Sequence, residues 1–287
     1  MLKTLSWLEP RSAQVRGLET AWLEGGRPGA PIALLLHGYP DTPDTWREQA
    51  APLMDTHWLL LPFARGLGGS RAPARMDRYG AYAALLDHLE LLRLADPERR
   101  RPVHVVGHDI GGVHAWMLAT YAPPNLRSVT VLNSAHPRQF LRRLLWPRQV
   151  FKSWYVAALQ LPRLPEWALR VVRRRLLERL ASEGWKAPDG GFGLEEFEGA
   201  ALNAMNEYRQ FVREIPMFLS ERSAIARVPV QLIASREDPY LEPPSFLELS
   251  DLAENLAIRV VRGGHWLHRQ QPERVHRLLK EFWARWG

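Results

Sequence analysis

The feature that most restricts the fold of this chain is an apolar run that ends in a glycine-rich turn and continues as a helix. Residues 103–107 are followed by His108-Asp109-Ile110-Gly111-Gly112, and a helical pattern follows from 113 to 121. Glycine permits a strained turn and a close approach between strand and helix. Such a turn pushes the side chain of Asp109 outward at the helix N-terminus, where the N–H groups and the helix dipole favour negative charge.

Short apolar runs alternate with helical patterns along most of the chain, as expected for a mainly parallel α/β sheet covered by helices. Several runs are apolar throughout, which is typical of strands buried on both faces. Strands are predicted at residues 32–36, 58–62, 103–107, 129–133, 230–234 and 256–261, with edge strands around 13–23. Helices are predicted at residues 78–94, 110–121 and 272–286.

The alternation stops between about His136 and Arg227, in a stretch with helix-like pieces, many prolines and an excess of arginine. At roughly 90 residues this stretch is too long to be a loop. We therefore predict a core of residues 1–135 and 228–287, with a helical cap of residues 136–227 inserted between two strands. Such a cap is expected to cover the edge of the sheet at which α/β proteins bind their ligands.

Composition excludes several classes of protein. The 287 residues include no cysteine, which excludes disulfides and thiolate chemistry. Neither a secretory signal nor a run of ~18–20 apolar residues is evident, so we expect a cytoplasmic protein without a membrane span. The net charge of +7 has no nucleic-acid-binding motif beside it, so we expect a solvated basic face and no nucleic-acid partner. Docking of an acidic partner to the arginine-rich cap stays an open alternative.

An aspartate at the centre of the turn determines which chemistry the turn can support. In strand–turn–helix motifs of this kind the central residue is commonly a serine nucleophile. A carboxylate is already ionised near neutral pH, and it can attack an electrophilic sp3 carbon to form an alkyl ester. It is poorly suited to attack an ester or amide, because the product is a reactive mixed anhydride. The alternative is that Asp109 only caps the helix.

Together with further segments, this turn resembles the α/β-hydrolase superfamily and, within it, the epoxide hydrolases. His37-Gly38-Tyr39-Pro40 follows an apolar run and resembles the family's HGxP motif, and GHDIGG at 107–112 resembles its nucleophile turn. The resemblance implies an α/β-hydrolase fold in which Asp109 is the nucleophile. It also implies that the backbone N–H groups of Tyr39 and Ile110 form the oxyanion hole.

Two later segments resemble the places of the family's acid and base. Asp238 follows the predicted strand 230–234, and His265 follows the predicted strand 256–261. The resemblance implies that Asp238 orients His265, which acts as the general base. The chain order of nucleophile, acid and histidine is that of the α/β-hydrolases.

Other residues near these positions are weaker candidates. Glu237, next to Asp238, is the second choice for the acid, and a solvated turn residue is the alternative for both. His268 and His276 are interpreted as loop and helix-surface residues, because they do not directly follow a predicted strand.

Two segments of the predicted cap resemble those that carry the family's cap tyrosines. These segments are Ser153-Trp154-Tyr155 and Asn206-Glu207-Tyr208-Arg209. The resemblance implies that Tyr155 and Tyr208 hydrogen-bond the epoxide oxygen, which is a poor leaving group unless it is protonated or strongly bonded. Packing at the interface of cap and core is the alternative for both tyrosines. Trp154 and Trp266 are expected to line the substrate pocket.

The function predicted from the sequence is hydrolysis of a hydrophobic small-molecule epoxide to a diol, without a metal or organic cofactor. Haloalkane dehalogenase is the nearest alternative, although that family typically has Asn and Trp where this chain has Tyr39 and Ile110. Fluoroacetate dehalogenase, and a binding protein that has lost turnover, are further alternatives. Phe63 departs from the family's DxRGxGxS loop, where an acidic residue is usual. No oligomeric state is predicted.

Overall fold

The computed structural model describes residues 5–187, 194–220, 225–246 and 249–286. Eight strands form one sheet: β1 (Glu9–Val15), β2 (Leu18–Gly26), β3 (Ile32–Leu36), β4 (Trp58–Pro62), β5 (Val103–His108), β6 (Leu126–Leu132), β7 (Val230–Ser235) and β8 (Leu256–Val261). Their order in the sheet is β1-β2-β4-β3-β5-β6-β7-β8. The pairs β1–β2 and β2–β4 are antiparallel, and all other neighbours are parallel. The predicted mainly parallel α/β architecture is therefore confirmed.

Helices flank this sheet and connect its strands. They are α1 (Arg47–Leu53), α2 (Ala81–Ala95), α3 (Ile110–Thr120), α4 (Pro137–Arg143), α5 (Pro147–Lys152), α6 (Trp154–Ala158), α7 (Leu164–Ser182), α8 (Leu194–Ser220), α9 (Leu267–Gln270) and α10 (Pro272–Trp286). Short 3-10 turns lie at Pro43–Trp46, Met76–Arg78 and Pro243–Phe246. Among the described residues, none of the helices combines the length and the hydropathy that crossing a membrane requires.

The predicted element boundaries differ from the observed ones where the backbone turns. Strand β6 ends at Leu132, one residue before the prediction, because Asn133 leaves the extended conformation with φ 43°. Helix α2 begins at Ala81, three residues after the prediction, because the preceding Gly80 has φ 88°. The edge strands are longer than predicted and form a hairpin at residues 9–26.

Both faces of the central sheet are covered, which explains why the central strands are apolar throughout. On β3, Ile32 and Leu34 pack into the cluster that contains residues of α2 and α3. Ala33 and Leu35 point to the opposite face, where they pack with residues of α1 and α10. The alternation of side chains along a strand thus builds two hydrophobic layers.

Among the described residues between β6 and β7 lie the five helices α4 to α8 and no named strand. Phe197 and Met205 of α8 pack with residues of α7 and with Trp266, which lies between β8 and α9. Two glutamates of α8 also accept hydrogen bonds from the N-terminus of α2: Glu207 from Gly80 N at 2.9 Å and Glu214 from Ala81 N at 3.0 Å. These bonds fix α8 above the sheet. The division into a core and a cap at residues 136 and 227 stays a prediction.

Candidate active site

The candidate residues follow the carboxyl ends of different strands. Tyr39 follows β3, Asp109 follows β5, Asp238 follows β7 and His265 follows β8. Because parallel strands end at the same edge of a sheet, these four residues meet although they are far apart in sequence.

Glycines make the turn at Asp109 sterically possible. Asp109 has a positive φ of 54° and lies between β5 and α3. A Cβ atom on Gly107 would lie 2.2 Å from the carbonyl oxygen of Gly111, so the strand can approach the helix only without a side chain. A Cβ atom on Gly38 would lie 2.4 Å from Asp109 Cβ. The predicted reason for glycine in the turn therefore agrees with the geometry.

The two oxygens of the Asp109 carboxylate have different partners. Oδ1 accepts hydrogen bonds from the backbone N of Ile110 at 2.6 Å and of Tyr39 at 3.3 Å. Oδ2 lies 3.3 Å from His265 Nε2. The bond to Ile110 N also caps α3. Helix capping therefore accounts for Oδ1 of Asp109 but not for the contact of Oδ2 with His265. Two N–H donors on one oxygen and a histidine at the other can serve nucleophilic attack followed by hydrolysis.

His265 lies between two carboxylates. Its Nδ1 is 2.7 Å from Asp238 Oδ2, and both side chains are almost fully buried. The other oxygen of Asp238 accepts bonds from the backbone N of Tyr240 at 2.7 Å and of Leu241 at 2.9 Å. These bonds hold the carboxylate in one orientation and, through it, the imidazole ring.

The weaker candidates lie elsewhere. Glu237 is exposed and bonds Gly263 N and Arg262. Among the described residues, His276 is partly buried on α10 and makes no contact with Asp109, Asp238 or His265. The interpretation of His268 as a loop or surface residue is wrong, because His268 is fully buried in α9 and its Nε2 lies 2.6 Å from Thr45 Oγ1.

Charges set the protonation states within the candidate triad. Burial lowers the pKa of His265, but the negative charges of Asp238 and Asp109 oppose it and raise that pKa to about 10. Burial raises the pKa of Asp109, but the hydrogen bond and the charge of His265 bring it below its ordinary value. At neutral pH Asp109 is therefore an anion and His265 is an imidazolium. Loss of the Asp109 charge would lower the pKa of His265.

Asp109 and His265 line a cavity together with the two candidate tyrosines, Tyr155 from α6 and Tyr208 from α8. The tyrosine rings are 5.6 Å apart at an interplanar angle of 87°. Burial, and next the charge of Asp109, raise the pKa of both phenols. Both are therefore protonated at neutral pH, and because the two phenols hydrogen-bond each other, one O–H group is left to donate into the cavity.

The rest of this cavity is largely apolar, and its empty volume is about 750 Å³ with the open mouth included. The apolar lining residues are Ile110, Val113, Pro137, Phe140, Val156, Phe211 and Leu241. A second cavity of about 890 Å³ adjoins it and shares Ile110, His114 and Glu207. Ile110 therefore forms a wall between the two spaces.

Neither tryptophan expected in the pocket is among the residues that line it. Trp154 points outward and is 67% exposed. Trp266 is buried behind His265, with ring centroids 4.9 Å apart, and its Nε1 donates to Asp41 Oδ2 at 2.8 Å. Trp266 thus supports the histidine from behind, whereas Trp154 belongs to the outer surface of α6.

Asn133, which was not predicted as a site residue, holds the loop of His265 in place. Its Nδ2 donates to the carbonyl oxygen of His265 at 2.7 Å and to Ser235 Oγ at 2.9 Å. Its Oδ1 accepts from Ser235 N at 2.7 Å. The one sequence signal for Asn133 is an amide side chain at the end of the apolar run 129–133. His108 Nε2 lies 3.0 Å from the same His265 carbonyl oxygen.

One group among the described residues has the composition of a metal site: the buried Asp41, His108 and His268, whose ligand atoms lie within 4.8 Å of one another. Asp41 Oδ2 already accepts bonds from Trp266 Nε1 and from Thr45 Oγ1. We interpret the group as a hydrogen-bonded support behind His265, and the expectation that no metal is required stays a prediction.

Comparison with known proteins places this geometry in a family. The family model described as "Alpha/beta hydrolase family" matches residues 33–278, which is most of the chain. The chain belongs to the alpha/beta hydrolase family. The candidate triad of this alpha/beta hydrolase lies within the matched residues, as do both candidate tyrosines.

Among curated relatives, epoxide hydrolase 4 of Mus musculus is 27% identical over 285 residues, which cover 93% of this chain and 76% of the mouse protein. The AB hydrolase superfamily protein YfhM of Bacillus subtilis (strain 168) is 29% identical over 277 residues, covering 90% and 91% of the two chains. A crystal structure of a Bacillus megaterium epoxide hydrolase with an inhibitor aligns over 96% of this chain and 100% of its own. Its TM-score is 0.79 at 20% identity, which shows a shared fold.

Proposed function

We propose that this alpha/beta hydrolase is an epoxide hydrolase, which converts an apolar epoxide and water to a vicinal diol. The observation that carries the proposal is that Asp109 and His265 share one largely apolar cavity with two protonated phenols, Tyr155 and Tyr208. The name of the mouse relative supports the same activity. The apolar lining favours an apolar substrate.

In the proposed first step, Asp109 Oδ2 attacks one ring carbon of the epoxide. A bond forms between Oδ2 and that carbon, and the ring C–O bond breaks. The departing oxygen takes a proton from Tyr155 or Tyr208, which is needed because a free alkoxide is a poor leaving group. Oδ1 keeps its two backbone N–H donors and becomes the carbonyl oxygen of the alkyl-enzyme ester.

In the proposed second step, water hydrolyses this ester. Esterification removes the charge of Asp109, which is one of the two negative charges that raise the pKa of His265. His265 then gives a proton back to the phenolate and can act as a base toward water. Attack at the ester carbonyl places negative charge on Oδ1, where the N–H groups of Tyr39 and Ile110 stabilise it. Collapse of this intermediate breaks the bond between the Asp109 carboxyl carbon and Oδ2. Oδ2 leaves with the substrate carbon and takes the remaining proton of the added water, so the diol carries Oδ2 in its new hydroxyl group and the water oxygen stays in the Asp109 carboxylate.

The phenols distinguish this proposal from dehalogenation by the same ester chemistry. A halide leaves as a weakly basic anion and requires no proton, so N–H donors suffice to stabilise it. An epoxide oxygen leaves as a strongly basic alkoxide and requires an O–H donor. Two phenols that line the cavity of the carboxylate therefore favour an epoxide over a haloalkane.

Trapping of the ester tests the proposed nucleophile. His265→Gln should keep the alkylation step and lose the hydrolysis step, so intact-protein mass spectrometry after mixing with an aryl epoxide should show one adduct per chain. Peptide mapping should locate this adduct on Asp109. Asp109→Ala is the matched control, and it should form no adduct. An adduct on another residue, or none in His265→Gln, would contradict the proposal.

Isotope labelling and a second substrate complete the test. In a single turnover in oxygen-18 water, the diol should contain almost no label, because its new oxygen comes from Asp109. A fully labelled first diol would mean direct attack by water. Parallel incubation with a bromoalkane should release little bromide, whereas faster turnover of the bromoalkane than of the epoxide would favour a dehalogenase.

A further inference from the structure

Exposed apolar side chains are concentrated in one part of the molecule. Of the 18 large hydrophobic residues that are exposed in the described chain, 10 lie between positions 145 and 172. They are Leu145, Trp146, Val150, Phe151, Trp154, Leu161, Leu164, Trp167, Val171 and Val172. Leu145 is 86% exposed and Phe151 is 79% exposed, far more than a partly covered core residue. Singly exposed apolar residues need no explanation, but a cluster of this kind marks a site of interaction.

Helix α7 shows that this cluster is not the edge of the core. Its buried side is formed by Leu169 and Leu180, which pack with residues of α8. Leu164, Trp167 and Val171 are exposed instead, at the spacing i, i+3 and i+7 that places them on one face of a helix. The helix therefore has a second apolar face, which the rest of the described chain does not cover.

A single residue, Arg209, connects the chain after α6 to the first turn of α7. Arg209 of α8 donates to the carbonyl oxygens of Leu159 at 2.8 Å and of Leu161 at 3.2 Å, directly after α6. It also forms an ion pair with Glu166 in the first turn of α7 at 2.8 Å. The turn between α6 and α7 is thereby fixed. We call residues 145–172, with the arginines that flank them, the cap surface.

The cap surface lies within the most basic part of the chain. Between Arg138 and Arg179 there are 11 arginines and lysines and only two glutamates, and five of these 11 cations form ion pairs with acidic residues outside the stretch. Arg148, Arg163, Arg174 and Arg175 are exposed, and the structure shows no acidic partner for them among the described residues. The guanidinium group of Arg143 lies 5.5 Å from the ring centroid of Trp146.

We propose that the cap surface binds an anionic lipid bilayer, with its apolar side chains at the boundary of headgroups and acyl chains. Exposed tryptophan, phenylalanine and leucine beside a basic rim are the features of helices that lie in a membrane interface. The arginines are attracted to the negative lipid headgroups. A second copy of the chain fits less well, because a symmetric contact through this surface brings two strongly basic faces together.

The position of α6 gives this docking a role in catalysis. Trp154 lies on the outer surface, whereas the next two residues, Tyr155 and Val156, line the cavity that contains Asp109. The helix that faces the bilayer is thus also a wall of the cavity. An apolar epoxide dissolved in the bilayer would reach the cavity beside this helix. This role rests on the proposed function, whereas the docking itself does not.

Cosedimentation with vesicles tests the proposal without any substrate. The intact protein should sediment with vesicles of phosphatidylcholine and phosphatidylglycerol in equal parts, and much less with phosphatidylcholine alone. Binding should weaken with rising salt, because screening shortens the range of the attraction. Brominated lipid should quench part of the tryptophan fluorescence. Asp109→Asn should bind equally well, so that a failed activity and a failed docking can be distinguished.

Two sets of substitutions locate the contact. The triple variant Arg148→Gln, Arg174→Gln, Arg175→Gln should bind anionic vesicles on the order of 100-fold more weakly, since each arginine contributes about five-fold. Arg27→Gln, Arg71→Gln, Arg259→Gln is the control with the same change of charge at exposed positions elsewhere. Phe151→Ser with Trp167→Ser should also reduce binding, whereas Leu86→Ser with Val260→Ser should not.

Other outcomes would overturn the proposal. Equal binding of the two triple variants would mean that net charge alone attracts the protein. No binding to either vesicle, together with a dimer that Phe151→Ser and Trp167→Ser convert to a monomer, would mean that a second copy covers the surface. A monomer that binds neither vesicle would leave an acidic protein as the partner.

Discussion

Asn133 fixes the backbone of His265: its side-chain Nδ2 lies 2.7 Å from the His265 carbonyl oxygen. The same amide bonds the backbone N and the hydroxyl group of Ser235, at the end of β7. One buried side chain thus joins the ends of β6 and β7 to the loop that carries the proposed base.

We expect Asn133→Ala to weaken both the fold and the second chemical step. The variant leaves buried polar groups without partners, which typically costs about 1–3 kcal/mol per group in the free energy of unfolding. Ester hydrolysis should slow more than alkylation, because only hydrolysis requires a correctly placed base. Urea unfolding and pre-steady-state kinetics measure the two effects.

Asn125→Ala is the matched control, since Asn125 is also buried and donates to Arg101 O at 2.9 Å, away from the candidate site. It should lower stability without changing the ratio of the two rates. An equal fall of both rates in Asn133→Ala would assign Asn133 a purely structural role.

The pKa of His265 should depend on the charge of Asp109. In the free protein that pKa is raised to about 10, so the ring stays protonated through neutral pH. Asp109→Asn removes one of the two charges that raise it, so the pKa should fall while Asp238 still keeps it above the value for the buried ring alone. NMR titration of histidine-labelled protein measures this change. An unchanged pKa would show that Asp109 does not control the protonation of His265.

Removal of the phenols should slow the first step of the proposed reaction. Tyr155→Phe or Tyr208→Phe leaves one O–H donor and should reduce the alkylation rate moderately. The double variant should lose about 10²–10⁴-fold, which is the usual contribution of general-acid catalysis. Rapid-quench measurement of the ester follows this step.

Tyr240→Phe is the control within the same cavity, because the hydroxyl group of Tyr240 donates to Glu183 at 2.5 Å. Alkylation should continue at nearly the parent rate in this variant. If the double variant of Tyr155 and Tyr208 also kept that rate, the two tyrosines would serve packing only.

The attachment of α8 to α2 should weaken as the pH rises. Burial raises the pKa of Glu214 to about 7, although the bonds from Ala81 N and Tyr82 N oppose the shift. The folded state therefore holds a proton that the unfolded state loses above a pKa of about 4.5. The stabilisation that this bound proton gives the folded state is complete below a pH of about 4.5 and is lost as the pH rises to about 7.

Glu214→Gln should remove most of this pH dependence, since the amide keeps an acceptor oxygen and does not titrate. The urea midpoint of the parent protein should fall between pH 5 and pH 8 more than that of the variant. Glu195→Gln, at an exposed position of the same helix, should behave as the parent does. A parallel loss in all three proteins would place the titrating group elsewhere.

Strands could be predicted from the sequence because each has a local signal. The predicted ranges 32–36, 58–62 and 256–261 agree with β3, β4 and β8. Asp109 was proposed from the glycine-rich turn around it, whereas the roles of Asp238 and His265 came from the family resemblance together with their places after predicted strands. The family resemblance added Tyr155 and Tyr208, which have no such local signal.

The contacts that hold these residues could not be predicted, since they join positions far apart in the chain. Asn133 contacts residues about 100 and 130 positions away, and its bonds depend on strand order in the sheet. Trp154 was expected in the pocket, but it lies on the outer surface. On a helix of five residues, neighbouring side chains point in different directions, and Tyr155 and Val156 face the cavity whereas Trp154 does not.

The parts of the proposed mechanism are divided between the sheet and the helices above it. Asp109, Asp238 and His265 follow strands of the sheet, whereas Tyr155 and Tyr208 belong to helices between β6 and β7. The residues that follow the sheet strands are therefore those proposed to hydrolyse the alkyl ester. The helices carry the residues proposed to determine which substrate bond breaks when the ester forms. A different set of helices above the same sheet could therefore serve a different leaving group, with the ester-hydrolysing residues unchanged.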